Sequence, residues 1–172
     1  MPAGPTYEPI ATTTLGSAAA PITFSSIPGT YTDLRATIVI PASPDTSGNV
    51  NMTLNGTSTG YSRTILLGQG TSASSSRSTS AAFWRVGNNG FQWTGSNSTP
   101  VFYTVDIFSY AGSTNKTALA TVQEDLNGSG VVQRSVFLWS NTAAITSLSW
   151  TTDAGTNFPV GTVATLYGIK AA

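Results

Sequence analysis

The stretch Val101–Tyr110 reads VFYTVDIFSY, with Val101, Tyr103, Val105 and Ile107 at alternate positions and Phe102, Phe108 and Tyr110 between them. Alternation with period two sends successive side chains to opposite sides of an extended chain, an interval that no helix repeats. Its β-branched and aromatic residues suit a pleated, half-buried surface. Apolar groups on both faces predict a central strand. Asp106, in the middle of it, has to face the less buried side or be paired, and an ion pair with Arg35 or Arg134 is expected.

The same alternation recurs on either side. Ile22 and Phe24 alternate with Thr23 and Ser25 ahead of a turn at Ser26-Ile27-Pro28-Gly29. Leu34–Ile40 is a strand closed by Pro41; Met52 and Leu54 share a face; Tyr61–Leu67 follows, and Ala82–Val86 resumes the sheet. Further strands are expected near Thr117–Gln123, Val131–Trp139, Ile145–Thr151 and Thr162–Ile169. Asn55-Gly56 and Gly87-Asn88-Asn89-Gly90 punctuate them as turns. Gly68–Ser80, GQGTSASSSRSTS, is too polar for a core strand and reads as a long exposed loop.

No window is convincingly amphipathic at helical spacing. Short strands at intervals of about 8 to 15 residues predict an all-β fold, a jelly-roll-like β-sandwich over residues 20–172, with an immunoglobulin-like sandwich or a small barrel as alternatives. Residues 1–19 stand apart. Pro2, Pro5 and Pro9 deny that segment regular hydrogen bonding, so it reads as an extended N-terminal arm. Tyr7, Pro9, Ile10 and Leu15 are its candidate contacts to a neighbouring subunit.

Composition narrows the function. The 172 residues include no histidine and no cysteine, and seven Lys or Arg balance seven Asp or Glu. Histidine is the side chain that titrates near neutrality, and imidazoles and thiolates are the usual zinc and copper ligands. Their absence argues for a protein that holds or coats, not an enzyme, and no cofactor or metal is expected. A balanced charge lacks the basic field that nucleic acid needs, and no apolar run reaches the ~20 residues of a membrane span. The first residues carry no secretory-signal pattern, which predicts synthesis in the cytoplasm. A hydroxyl- and amide-rich surface leaves few charges to desolvate on packing, which favours life in an assembly.

Catalysis would fall to carboxylates. Glu124 and Asp125 are adjacent, so on a strand they point to opposite faces and cannot flank one bond unless Asp106 or Asp153 joins them. Asp45 and Asp153 lack the spacing of a calcium loop. Among the aromatics, Trp84 and Trp93 are the candidate glycan contacts, Trp93 being set among polar neighbours after an Asn-Asn-Gly turn.

Two segments carry a likeness. One is Thr6-Tyr7-Glu8-Pro9-Ile10-Ala11-Thr12-Thr13-Thr14-Leu15-Gly16-Ser17 running into Ile22–Leu34, which contains Ser25-Ser26-Ile27-Pro28-Gly29-Thr30-Tyr31-Thr32-Asp33. The other is Thr142–Thr146 with Asn157-Phe158-Pro159-Val160-Gly161-Thr162 and Leu166-Tyr167-Gly168-Ile169. Together they resemble a group of small structural proteins of tailed bacteriophages, described as virion, tail or capsid-decoration proteins. The resemblance covers both ends, while residues 41–135 match loosely. It implies a virion component without catalytic residues. The expected role is a cement protein on the head exterior, partnered by the major capsid protein and by itself as a homotrimer. The alternative is a tail or fibre component that binds a host glycan. On the physical side, Ile27 and Tyr31 are expected to pack across the Pro28-Gly29 turn, with Asp33 capping exposed amides.

Overall fold

The structure, a computed structural model, describes residues 6–42, 48–87, 99–124, 130–153 and 156–170. Among these residues twelve strands run in chain order as β1 (Tyr7–Thr14), β2 (Ile22–Phe24), β3 (Asp33–Ile40), β4 (Asn51–Leu54), β5 (Tyr61–Gln69) and β6 (Ser72–Ala81). They continue as β7 (Trp84–Arg85), β8 (Val101–Phe108), β9 (Lys116–Glu124), β10 (Val131–Trp139), β11 (Leu148–Thr151) and β12 (Val163–Ile169). Eight form one sheet in the order β1-β12-β3-β8-β9-β10-β5-β6, and four form a second, β2-β11-β4-β7. Every neighbouring pair is antiparallel. The chain is all-β, a jelly-roll-like sandwich.

Alternation decides which face each strand buries. Leu34, Ala36, Ile38 and Ile40 of β3 lie in register with Ile107, Val105, Tyr103 and Val101 of β8, and all eight are buried. With Ala118, Ala120 and Val122 of β9, they join one cluster with Ile22, Phe24, Met52, Leu54, Leu148 and Trp150 of the smaller sheet. Burial of this kind contributes about 25 cal/mol per Å² of apolar area. Ile107→Ala is expected to cost about 2–5 kcal/mol, as large-to-small changes in a packed core do. Substitutions within Ser72–Ser80 are expected to stay within about 0.5 kcal/mol, because those side chains face solvent. Denaturant unfolding of both sets checks the contrast; equal effects would contradict the burial pattern.

Three expectations change on the structure. β8 is central in its sheet, yet only one of its faces is packed: Phe102 is half-buried and Phe108 is 44% exposed. The smaller sheet covers one side of the larger one, so two apolar faces do not imply two buried ones. Tyr110 is buried all the same, because Ser109 takes a positive φ of 48° and the strand ends before it. Gly68–Ser80 is not a loop. β5 continues to Gln69, the chain turns at Gly70 with φ of 54°, and β6 pairs back along β5 from Ser72 to Ala81. Backbone hydrogen bonding makes a strand there without any side-chain burial. The segment read as an arm reaching a neighbouring subunit is extended, but Tyr7–Thr14 lies on its own chain, paired with β12 from Tyr7↔Ile169 to Thr14↔Val163. Pro9 is tolerated because β1 is the sheet's edge and the register shifts between Pro9 and Ala11.

The two segments that carry the phage resemblance meet in space. The Tyr31 ring lies flat against Gly168, so close that a Cβ there would sit 2.3–2.5 Å from three of its carbons. Thr32 N–H donates to Ile169 O at 2.8 Å, and Tyr31 Oη donates to Glu8, which Lys170 Nζ also reaches at 2.6 Å. Ile27 is buried beside this turn. Asp33 accepts from the Ser109 amide at 2.7 Å, so it caps the end of β8. Tyr110 donates its hydroxyl to Pro28 O and accepts from Tyr31 N–H.

Buried phenols give the fold an alkaline limit. Burial raises Tyr61, Tyr103 and Tyr110 above the ordinary value of 10.0. The folded chain therefore keeps protons that the unfolded chain releases near pH 10, so this stability is complete below pH 10 and is lost as pH rises above it. Lys116, lowered by burial from 10.5, acts in the opposite sense, while Lys170, raised by its hydrogen bond to Glu8, acts with the phenols. The denaturant midpoint is expected to hold from pH 7 to about 9 and to fall between about 10 and 11.5, together with tyrosinate absorbance. A midpoint that rises across that interval would contradict the burial of the phenols.

Candidate functional site

Register aligns the uncovered face of the eight-stranded sheet into rows. Thr12, Thr165, Thr37, Thr104 and Thr121 stand side by side across β1, β12, β3, β8 and β9. The row continues into Arg134 and Leu66. Thr12 and Thr165 hydroxyls are 3.1 Å apart. In the adjacent row Tyr167, Arg35, Asp106, Leu119 and Val136 align. Here the expected ion pair forms: Arg35 donates through Nε and a terminal nitrogen to Asp106 at 2.5 and 2.9 Å. The fork-to-carboxylate geometry neutralises both charges on the face.

Toward β5 and β6 this face turns apolar. Leu66 is 61% exposed, Val132 55% and Val136 56%. Val132 and Val136 flank Arg134 on β10, and Leu66 is the cross-strand partner of Arg134. Beyond them runs β6, the far edge strand, in which Arg77 is the one charged residue and nearly every side chain is exposed. Sheet edges are ordinarily blunted with Lys, Pro or bulges; between Ser72 and Ala81 there is neither Lys nor Pro, and the one register shift against β5 falls at the end of β6, opposite Tyr61 and Arg63.

The N-terminal candidates divide. Tyr7 is 46% exposed with the Arg35 guanidinium 5.2 Å from its ring centre, and Pro9 is exposed. Ile10 and Leu15 are half-buried against the core of their own chain. Ile10 and Leu15 are thus core-supporting residues, and Tyr7 and Pro9 remain available on the outer rim.

Trp84 is not a surface aromatic. It is fully buried, stacked 5.2 Å from Phe137 and edge-on to Tyr61 at 5.9 Å, and its Nε1 donates to Leu138 O at 3.0 Å. A short strand bearing one large aromatic between Phe83 and Arg85 buries that aromatic and turns its neighbours outward. Trp93 lies outside the described residues, as do Asp45 and Asp125. Trp139 and Trp150 are buried. Glu124 is also buried, with Tyr103 near enough for its charge to help raise that phenol.

Phe83 and Arg85 face a pocket of about 280 Å³ that is also lined by Arg63, Ser78, Ala81 and Ala82. The Arg85 guanidinium sits 5.4 Å from the Phe83 ring centre and pairs with Asp153 at 3.3 Å. Asp153 also accepts from Asn49 at 2.5 Å and Asn51 at 3.2 Å. Burial opposes the Asp153 charge, but the two amides and Arg85 outweigh it and hold its carboxyl below the usual value of 3.8. Arg63 donates to Arg85 O at 2.9 Å. Burial and the positive charge of Arg85 depress its pKa. Arg63 and Arg85 belong to different sheets, so their meeting depends on how the two sheets pack. Elsewhere the fully buried Lys116 ammonium is held by the carbonyls of Gly112, Thr114 and Thr142, which makes it a structural cation and not an acid–base group.

No protein-family model matches the chain, and no curated protein matches it. Among solved structures, the Caenorhabditis elegans galectin LEC-6 is similar at 11% identity and a TM-score of 0.35, over 90% of this chain and 94% of that one.

Proposed function

We propose that this chain is a non-catalytic structural protein of a tailed-bacteriophage virion, a capsid decoration or cement protein that binds the outer surface of the head. The observation that carries the reading is the uncovered sheet face. Its threonine row, internally neutralised Arg35–Asp106 pair and exposed Leu66, Val132 and Val136 form a broad surface with little charge to desolvate. Such a face suits packing against major capsid subunits, where burying exposed apolar groups supplies the driving force. The edge strand β6 beside it suits self-association, and a homotrimer is proposed. The resemblance of both chain ends to phage structural proteins supports the same role. The cytoplasm of the host is where it would be made, and the particle exterior is where it would act.

The test is addition of the purified chain to undecorated heads, with copy number counted by quantitative gel analysis. Hundreds of copies per particle are expected, and a few to tens would move the chain to the tail. Leu66→Glu with Val136→Glu is expected to abolish decoration while leaving unfolding unchanged, because both side chains are already in solvent. Decoration by this variant at wild-type affinity would show that another face docks. Light scattering reads the oligomer directly.

The second reading, a tail or fibre component that binds a host-surface glycan, loses Trp84 as its contact. The pocket bounded by Arg63, Phe83 and Arg85 is the observation in its favour.

A further inference from the structure

We propose that the pocket between β5, β6 and β7 is a binding site for a carboxylate-bearing monosaccharide unit, such as a uronic or sialic acid, gripped by Arg63 and Arg85. The inference does not depend on whether the chain sits on the head or the tail.

The charge balance is the first reason. Both guanidiniums line one pocket. Arg85 has a carboxylate partner in Asp153. Arg63, half-buried beside it, pairs with no carboxylate among the described residues and makes its one described hydrogen bond through a single terminal nitrogen to Arg85 O. Two neighbouring cations that share one counter-ion repel each other, and desolvation strengthens the repulsion. An anion in the pocket would relieve it.

Donor geometry is the second reason. A guanidinium carries five N–H donors in a planar fork that matches a carboxylate edge. One of those of Arg63 is used by Arg85 O, and one nitrogen of Arg85 is used by Asp153. Donors therefore remain on both groups. Arg85 is also held in place, by Asp153 on one side and the Phe83 ring on the other. Its fork is oriented before any ligand arrives, which lowers the ordering cost of binding.

Size and lining identify what bears the carboxylate. The pocket is about 280 Å³, at the small end for organic ligands and roomy for a bare inorganic anion. Ser78 offers a hydroxyl for a ring hydroxyl, and Ala81, Ala82 and Phe83 supply an apolar wall for the C–H face of a sugar.

The experiment is calorimetric titration of the full chain with glucuronic acid, N-acetylneuraminic acid, glucose and inorganic phosphate, each at matched ionic strength. Saturable binding of at least one acidic sugar is expected, with none of glucose. Arg63→Gln is expected to weaken it about tenfold, the effect of losing one charge-assisted contact. Amide chemical-shift mapping on the wild-type chain keeps the test decisive should that variant fold poorly, with ligand-induced shifts expected at Ser78, Ala82, Phe83 and Arg85. Absence of saturable binding by both acids would overturn the proposal, and so would shifts confined to other strands. Equal affinity for phosphate and the acidic sugars would reduce the pocket to an unselective anion site and overturn the saccharide assignment.

Discussion

Trp84→Ala is expected to destabilise the chain by about 3–5 kcal/mol, the range for removing a large aromatic from a packed core. Trp84 is wholly inaccessible, stacks on Phe137 at an interplanar angle of 19° and meets the Tyr61 ring at 79°. Tyr61 in turn stacks on Trp139 at 6.2 Å. The substitution opens a cavity at one end of an aromatic cluster that bridges the two sheets, and the neighbouring rings of Tyr61 and Phe137, held in the larger sheet, cannot collapse into it. It also strips the Leu138 carbonyl of the indole N–H it accepts, an added cost of about 1 kcal/mol. Trp84→Phe keeps most of the ring volume and loses the indole donor, so it is expected to fall well below the alanine value. Urea unfolding, followed by fluorescence of the remaining tryptophans, measures both. A loss under about 1 kcal/mol for Trp84→Ala would mean that the residue is exposed in solution, and it would restore Trp84 as a candidate glycan contact.

Gly168→Ala is the second large effect, and here the sign itself is informative. On backbone grounds an alanine in a strand should match or exceed glycine, because it restricts the unfolded chain by about 0.4–1 kcal/mol. Gly168 has ordinary strand geometry, paired with Leu34 on one side and Glu8 on the other. Packing opposes this, since the new methyl would lie 2.3 Å from Tyr31 Cγ. Tyr31 is tied by its amide to the Tyr110 hydroxyl and by its own hydroxyl to Glu8, while the next amide, Thr32, binds Ile169 O. The ring can move only by breaking those contacts, so a net loss of about 1–3 kcal/mol is expected, typical of overpacking. Adding Tyr31→Ala makes room, and the double variant is expected to be more stable than the sum of the single changes implies. Additivity would mean that the ring does not rest on Gly168. Thermal unfolding of the four proteins in the cycle gives the answer.

The same contact explains what the phage-like segments do in this chain. Ser25–Leu34 and Leu166–Ile169 read as markers of a family, and in the fold each supports the other: the turn of the first covers the glycine of the second. Their side chains therefore specify architecture, and the surfaces proposed to bind lie elsewhere, on β5, β6, β7 and β10.

Much of this was legible from local pattern. Period-two alternation located β3, β8, β9, β10 and β12, and the lack of any helical period settled the fold class. A lone Asp106 inside an apolar strand required a partner, and Arg35 was one of two offered. These inferences succeed because the alternation and the cost of an unpaired charge are properties of a few adjacent residues. Pairing is different. That β1 adds itself to β12, 162 residues away between the Glu8 and Lys170 side chains, depends on an open sheet edge that no short window records. Polarity concealed β6, because its strand is held by backbone hydrogen bonds to β5 and buries almost nothing. Whether an apolar face is covered, as on the inner side of β8, or open, as at Phe108 and Val136, was decided by the reach of the smaller sheet. Trp84 and its neighbours summarise the limit in physical terms: alternation says that Phe83 and Arg85 oppose Trp84, but only the packing of two sheets decides which side is the interior, and only that packing brings Arg63 alongside Arg85.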